Sequence, residues 1–346
     1  MAVEIGTATD HVDLFNKLYS FLTSNPDLVA AGQNWERVPE VGAPPPFVAD
    51  TAGSGITGAV MLKGPGLAAQ DEIYVSLWLQ ESQTLLRAML HIQGHNGVLP
   101  DNVTYEGHIN SSGVKQLPLG LSTVGYWFVA SGRRFYIGLK TGMTYGLGGG
   151  GLYIPYASPA GHPYPAFVGG TTTAGISSVG LETTGTNHAF FTDPAAGQLA
   201  AQGPTGTWLN FDNGNADDDY ETGTGGARTF PYNISAQPRH ITSGGGLATP
   251  PGWGGGLGSR SWGMLTEVFV RAQVPLLGGS YLLTPITLNS MASNAPGVYG
   301  ILDGIFFIPG VGVSAEDTVT IGGDTYLILP NVYRTANQNF IALKLE

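Results

Sequence analysis

The stretch Tyr126-Trp127-Phe128-Val129-Ala130-Ser131-Gly132-Arg133-Arg134-Phe135-Tyr136-Ile137-Gly138-Leu139-Lys140 decides the fold class. Two runs of aromatic and β-branched side chains are split by a Ser131-Gly132 pair. Such side chains fit a pleated, buried surface, and Gly supplies the positive φ that a tight hairpin turn demands. The spacing predicts an antiparallel hairpin, 124–130 with 133–141. Thr318-Val319-Thr320-Ile321-Gly322-Gly323-Asp324-Thr325-Tyr326-Leu327-Ile328-Leu329 is a second unit of the same kind, turning at Gly322-Gly323.

Working outward, short β-type runs alternate with Gly, Pro, Ser and Asn from residue 34 to the end. They are 57–63, 72–80, 84–93, 103–108, 124–130, 133–141, 151–155, 188–192, 206–211, 265–272, 281–288, 298–302, 304–309, 318–321, 324–330 and 340–345. Runs this many and this short argue for sandwiches or barrels, not an α/β fold. Before residue 34 the texture is helical. Phe15, Leu18 and Phe21/Leu22 recur at the spacing of one helical face. Thr7, Thr9 or Asp10 can cap a helix over 9–23 by accepting from free N–H groups. Ser24 or Asn25 can cap a second over 26–31, with Pro26 in its first turn and Gly32 as its stop. The expected fold is mainly β: a short N-terminal helical segment followed by two β-sandwich or barrel-like regions with long Gly-rich loops. The expected division is a helical docking segment 1–33, a first β domain 34–170, and a second β domain 171–346 with a loop excursion over about 212–262.

Composition narrows the function classes. The chain has 346 residues, with 14 Lys+Arg against 25 Asp+Glu and a net charge of −11. That balance argues against a general nucleic-acid binder. Zero Cys excludes a disulfide scaffold, a thiol enzyme and a Cys-ligated metal site. No apolar run approaches the length of a membrane-spanning helix. Residues 1–6 lack a basic segment followed by an apolar one, so no secretory signal is expected there. Charged residues are 11% and Gly is 53 of 346, a composition suited to surfaces covered by neighbouring copies, where unpaired charge would be costly.

Motifs for chemistry are sparse. His91-Ile92-Gln93-Gly94-His95 places two His four apart, but where a strand meets a Gly-Asn-Gly turn, so the pair is expected to be a satisfied loop pair and no metal is expected. Asp212-Asn213-Gly214-Asn215-Ala216-Asp217-Asp218-Asp219 is dense in oxygen ligands, making Asp212, Asp217 and Asp219 the Ca²⁺ candidates against a solvated acidic loop. Its Gly stands third, out of order for an EF-hand. There is no Gly-x-Ser-x-Gly elbow and no Walker A loop, and Gly254-Gly255-Gly256-Leu257-Gly258 lacks a preceding strand and a following helix. No cofactor and no enzymatic activity are expected. The Pro-rich segment 152–167 carries Tyr153, Tyr156, Tyr164 and Phe167. Proline removes N–H donors, so no interior strand is expected beyond Pro155. These rigid rings either close over the end of the sheet or contact another subunit or a glycan.

Several segments resemble a family of tailed-phage and prophage virion structural proteins. They are Met1–Asp10, Leu28-Val29-Ala30-Ala31-Gly32-Gln33-Asn34-Trp35, Leu62-Lys63-Gly64-Pro65-Gly66-Leu67-Ala68-Ala69-Gln70-Asp71-Glu72-Ile73-Tyr74-Val75, residues 127–134, the segment 152–170, Thr207-Trp208-Leu209-Asn210-Phe211 and Asn331-Val332-Tyr333-Arg334-Thr335. Gly-rich stretches at 147–151 and 244–258 depart from the pattern and are expected to remodel the exposed surface. The resemblance implies a non-enzymatic virion part of the tail or baseplate region, assembled in the host bacterial cytoplasm. Its partners would be other virion proteins and copies of itself in a closed cyclic assembly, with no direct nucleic-acid contact and no membrane insertion. A receptor- or glycan-binding protein at the tail tip, contacting a host surface glycan, is the alternative. A capsid decoration or neck protein is a weaker one.

Overall fold

A computed structural model describes residues 1–39, 41, 46–48, 55–66, 73–82, 84–100, 104–156, 162, 165–172, 190, 198–211, 227–230, 283–290, 297–308, 310, 312–333 and 340–346. The protein is mainly β. The chain opens with strand β1 (Ala2–Ala8), then helices α1 (His11–Ser24) and α2 (Pro26–Ala30). Strands β2 (Glu36–Arg37), β3 (Ile56–Gly64), β4 (Ile73–Ser82), β5 (Arg87–His95) and β6 (Lys115–Gly120) form a five-stranded antiparallel sheet in chain order. A second sheet contains β7 (Val124–Ala130), β8 (Arg134–Thr141), β9 (Thr144–Leu152), β10 (Ile154–Pro155), β11 (Ala166–Gly169), β12 (Leu199–Gln202), β13 (Trp208–Phe211), β14 (Ala227–Phe230), β15 (Thr284–Ser290), β16 (Gly297–Phe307), β17 (Thr318–Ile321), β18 (Asp324–Pro330) and β19 (Phe340–Lys344). Its order is β1-β7-β8-β9-β11-β12-β13-β14-β15-β16-β19-β18-β17, with β10 beside β16.

The decisive hairpin lies at the centre of three layers. Along β7, Val124, Tyr126, Phe128 and Ala130 point to one side and join Phe135, Ile137 and Leu139 of β8 in a core shared with Val60, Leu62, Val75, Leu77, Leu90 and Ile92 of the five-stranded sheet. The intervening Trp127, Val129 and Tyr136 point to the other side. There they meet Leu288, Tyr299, Ile305, Leu327, Leu329, Ile341 and Leu343 from β15, β16, β18 and β19. The large sheet therefore folds back over itself. Strands buried on both faces read as continuous apolar runs, which is the texture of residues 126–139.

The helices match their expected positions closely. Asp10 caps α1, its carboxylate accepting from the Asp13 N–H at 2.8 Å, and Asn25 caps α2. Gly32 ends α2 at φ +62°. Leu14, Phe15, Leu18, Phe21 and Leu22 are buried in the first core, with the Phe21 ring 5.6 Å from Phe128. The apolar face of the expected docking segment 1–33 is thus packed inside the fold. Residues 2–8 are also a full strand, paired with β7 from Ala2↔Ala130 to Ala8↔Val124.

Further expectations are revised. The Ser131 N–H donates to the Arg134 carbonyl at 2.8 Å, so the first hairpin turns at Gly132-Arg133. Gly132 does not have a positive φ; it is required because a Cβ would lie 2.9 Å from the Gly66 carbonyl oxygen. The Gly-rich stretch 147–151 is no exposed insert but the buried interior strand β9, between β8 and β11. Residues 166–169, beyond the prolines, form interior strand β11. Pro165 escapes the donor problem because only its carbonyl is used, accepting from the Tyr153 N–H at 2.8 Å. The boundary expected near 170 falls between β11 and β12, which are hydrogen-bonded neighbours. Residues 104–108 are not a strand. The run 265–272 and the Gly-rich stretch 244–258 lie outside the described residues.

Glycine in β9 works by letting bulky neighbours approach. A Cβ on Gly148 would meet the Gly169 carbonyl at 2.9 Å and Leu117 at 3.0 Å, and one on Gly149 would overlap the Phe135 carbonyl. The missing side chains make room for Tyr136, Phe135 and Leu117, all fully buried. Burying side chains of that size contributes about 1.5–3 kcal/mol each, which offsets the entropic cost of Gly in a strand.

Candidate functional site

The described residues of the Tyr/Pro segment, 152–156, 162 and 165–169, join β9, β10 and β11 of the large sheet. Tyr153 sits between β9 and β10 and is fully buried. Its hydroxyl donates to the Gln202 carbonyl at 2.6 Å, which leaves its oxygen to accept from His162 Nε2 at 2.9 Å. The His162 ring stands edge-on between Tyr153 and Tyr299. Burial pushes the His162 pKa down and the Tyr153 pKa up, so both groups are neutral near pH 7. Phe167 is likewise fully buried, against Tyr136 and Phe190. Of the two expected readings, Tyr153 and Phe167 take the packing one: they are core residues whose rings close the inner core. Tyr156 differs. It is 60% exposed and is held by its N–H, which donates to the Tyr299 carbonyl. Tyr164 lies outside the described residues, as do Asp212, Asp217 and Asp219.

A second constellation covers the outer face of the five-stranded sheet. β5 runs on through His95, so His91 and His95 are strand residues, not a loop pair. At odd positions both face away from the first core. His91 stacks on Trp78, ring centroids 4.8 Å apart, and Tyr105 packs at a tilt against the same Trp. Among the described residues, both nitrogens of buried His91 lack a hydrogen-bond partner, and so do Oε1 of Gln93 and of Gln116. Burial alone lowers the His91 pKa to about 4. His95 faces His108 with ring centroids 5.3 Å apart. The Ser111 hydroxyl proton goes to the His108 carbonyl, so His95 Nδ1 donates to Ser111 at 2.8 Å and Nε2 accepts from Ser76 at 2.9 Å. Burial first, and His108 second, lower the His95 pKa to about 3. His91 and His95 are therefore neutral near pH 7. Among the described residues no group of three or more His, Cys, Asp or Glu could hold a metal ion.

The third feature was missed in the sequence. Among the described residues β1 has a strand neighbour on one side only, so it is an open edge of the large sheet. Ile5 on it is 59% exposed and Met1 41%. A groove of about 330 Å³ runs between this edge and α1, lined by Glu4, Asn16, Lys17, Ser20, Phe21 and Asn25 among others. Glu4 accepts from the Tyr126 hydroxyl at 2.8 Å, and Lys17 bridges Asp13 Oδ2 and the Thr7 carbonyl. The signal available in the sequence was Val3, Ile5 and Thr7, β-formers at period two.

The chain matches no family model and no curated protein.

Proposed function

We propose that the protein is a non-enzymatic structural component of a tailed-phage virion, placed in the tail or baseplate region and acting through contacts with copies of itself and with other virion proteins. The observation that carries this reading is the open edge of β1 among the described residues, a seven-residue strand with an exposed Ile5. Sheet edges that globular proteins leave long and apolar are templates for pairing with another chain. The layered body supports the same reading, because its two largest cores are closed and, among the described residues, the β1 edge is free. The sequence resemblance supplies the virion context, with assembly in the host cytoplasm. Mass spectrometry and imaging of purified particles test it: the protein should appear at a fixed copy number in the tail. Its absence from washed particles defeats the reading.

Exposed Tyr156 favours a second reading, contact with a host surface glycan at the tail tip, since a rigid ring offers stacking area at low entropic cost. Tyr156→Ala would then reduce adsorption while particles still assemble. Unchanged adsorption removes this reading.

A further inference from the structure

We infer that the open edge of β1 pairs with the same edge of a second copy, antiparallel about a two-fold axis at Ile5. The inference deepens the structural role proposed above, and rests on it for its biological setting, by naming the surface through which two copies meet.

The direction of the backbone comes from one hydrogen bond. Lys17 Nζ donates to the Thr7 carbonyl at 3.0 Å, so that carbonyl points away from β7. In an antiparallel ladder the N–H and C=O of one residue point the same way, and the direction alternates along the strand. Thr7, Ile5 and Val3 therefore aim their backbone groups at the open edge, while Ala2, Glu4, Gly6 and Ala8 pair with β7. A two-fold axis at Ile5 sets Ile5 opposite its own copy and Val3 opposite Thr7 of the other chain. All three pairs are of the hydrogen-bonded type, giving about six new backbone hydrogen bonds. The Thr7 carbonyl has a second lone pair, so Lys17 does not block it.

The side chains are self-complementary in the same register. The two Ile5 side chains, each largely exposed in one copy, would cover one another. Glu4 faces the α1 side of the sheet and falls opposite Gly6 of the second copy, a position with no side chain of its own, over which that copy's Tyr126 hydroxyl lies. Lys17 of that copy sits one residue away, on its Thr7 carbonyl. The axis repeats this Glu4 and Lys17 approach, so one acid and one base per chain become two opposite-charge contacts. A patch that complements itself in this way is what a two-fold interface requires.

The chain contains no Cys, which makes a register test clean. Opposed Cα atoms in a hydrogen-bonded antiparallel pair lie about 5.5 Å apart, within disulfide reach. Ile5→Cys should oxidise to a covalent dimer, while Met143→Cys, at an 83% exposed turn position, should not. In solution the unmodified chain should sediment at twice its 36.1 kDa mass. Ile5→Pro removes an N–H that β7 does not use, and should give a monomer with unchanged circular dichroism. If that variant fails to fold, Ile5→Lys, which places charge on the edge, decides the same point. An unmodified chain that stays monomeric at its highest soluble concentration overturns the pairing, as does equal cross-linking through position 143. A monomer that is nevertheless found in purified particles overturns the edge pairing and leaves the structural role intact. A dimer that is absent from particles upholds the pairing and defeats that role.

Discussion

Arg134 and Asp303, 169 residues apart in sequence, join two layers of the fold: Arg134 Nε donates to Asp303 Oδ2 at 2.8 Å. The Arg134 side chain is buried, whereas Asp303 is about one-third open to water. The guanidinium also lies over the Tyr136 ring, whose hydroxyl donates to the Asp303 carbonyl. Asp303→Ala leaves a buried cation without its partner. The expected loss is about 3 kcal/mol, the low end for a broken buried pair because of that exposure. Replacing both members with apolar residues should cost less than Asp303→Ala alone, since no charge is then stranded. Urea midpoints of the parent and the two variants check the order.

The glycines of β9 separate close approach from backbone freedom. Gly149→Ala forces a methyl group onto the Phe135 carbonyl inside a two-sided core, and should destabilise by more than about 3 kcal/mol or prevent folding. Gly322→Ala sits at φ +65° with nothing within 4 Å of the added atom. Its cost is left-handed strain alone, about 1–2 kcal/mol. Thermal melts that gave the two substitutions equal effects would contradict this account of β9.

Acid should weaken the fold through His91 and His95. Both have folded pKa values, about 4 and about 3, below the ordinary 6.5. Between those values and 6.5 the unfolded chain binds more protons than the folded one, so stability rises with pH across that window and is lost as pH falls through it. The loss from His91 alone is on the order of 3 kcal/mol. His91→Phe keeps a ring against Trp78 and removes two buried nitrogens without partners. It should match the parent near pH 7 and be more stable at pH 4.5. A variant with the same pH slope as the parent would show that His91 does not titrate on unfolding.

How much of this was legible in the sequence depended on which force set each element. Strands β7, β17 and β18 are dictated locally, by side-chain type and turn chemistry, and the sequence located them; it narrowed the helix caps to Thr7, Thr9 or Asp10 and to Ser24 or Asn25, of which Asp10 and Asn25 serve. Gly322 and Gly323 take positive φ as a tight turn requires. β9 was hidden because its glycines are chosen by Phe135, Tyr136 and Leu117, residues distant in the chain whose approach only the assembled layers reveal. β11 was hidden behind prolines whose carbonyls still serve. Tyr153 and Tyr156, three residues apart in one Pro-rich segment, looked alike, yet one is an anchor and the other is on the surface. Composition cannot separate them, because β10 pairing with β16 decides which ring turns inward.

That contrast gives a last prediction. Tyr153→Phe deletes a hydroxyl that donates to the Gln202 carbonyl and accepts from His162, stranding two groups in a dry core. Leaving buried partners unsatisfied costs about 1–3 kcal/mol, although the ring itself is kept. Tyr156→Phe changes a 60% exposed position and should stay within about 0.5 kcal/mol of the parent. Chemical denaturation of the pair measures the difference directly. If Tyr153→Phe proved as stable as Tyr156→Phe, the hydroxyl would not be an anchor, and the Tyr/Pro segment would be held instead by ring packing and by the Tyr153 N–H to Pro165 bond.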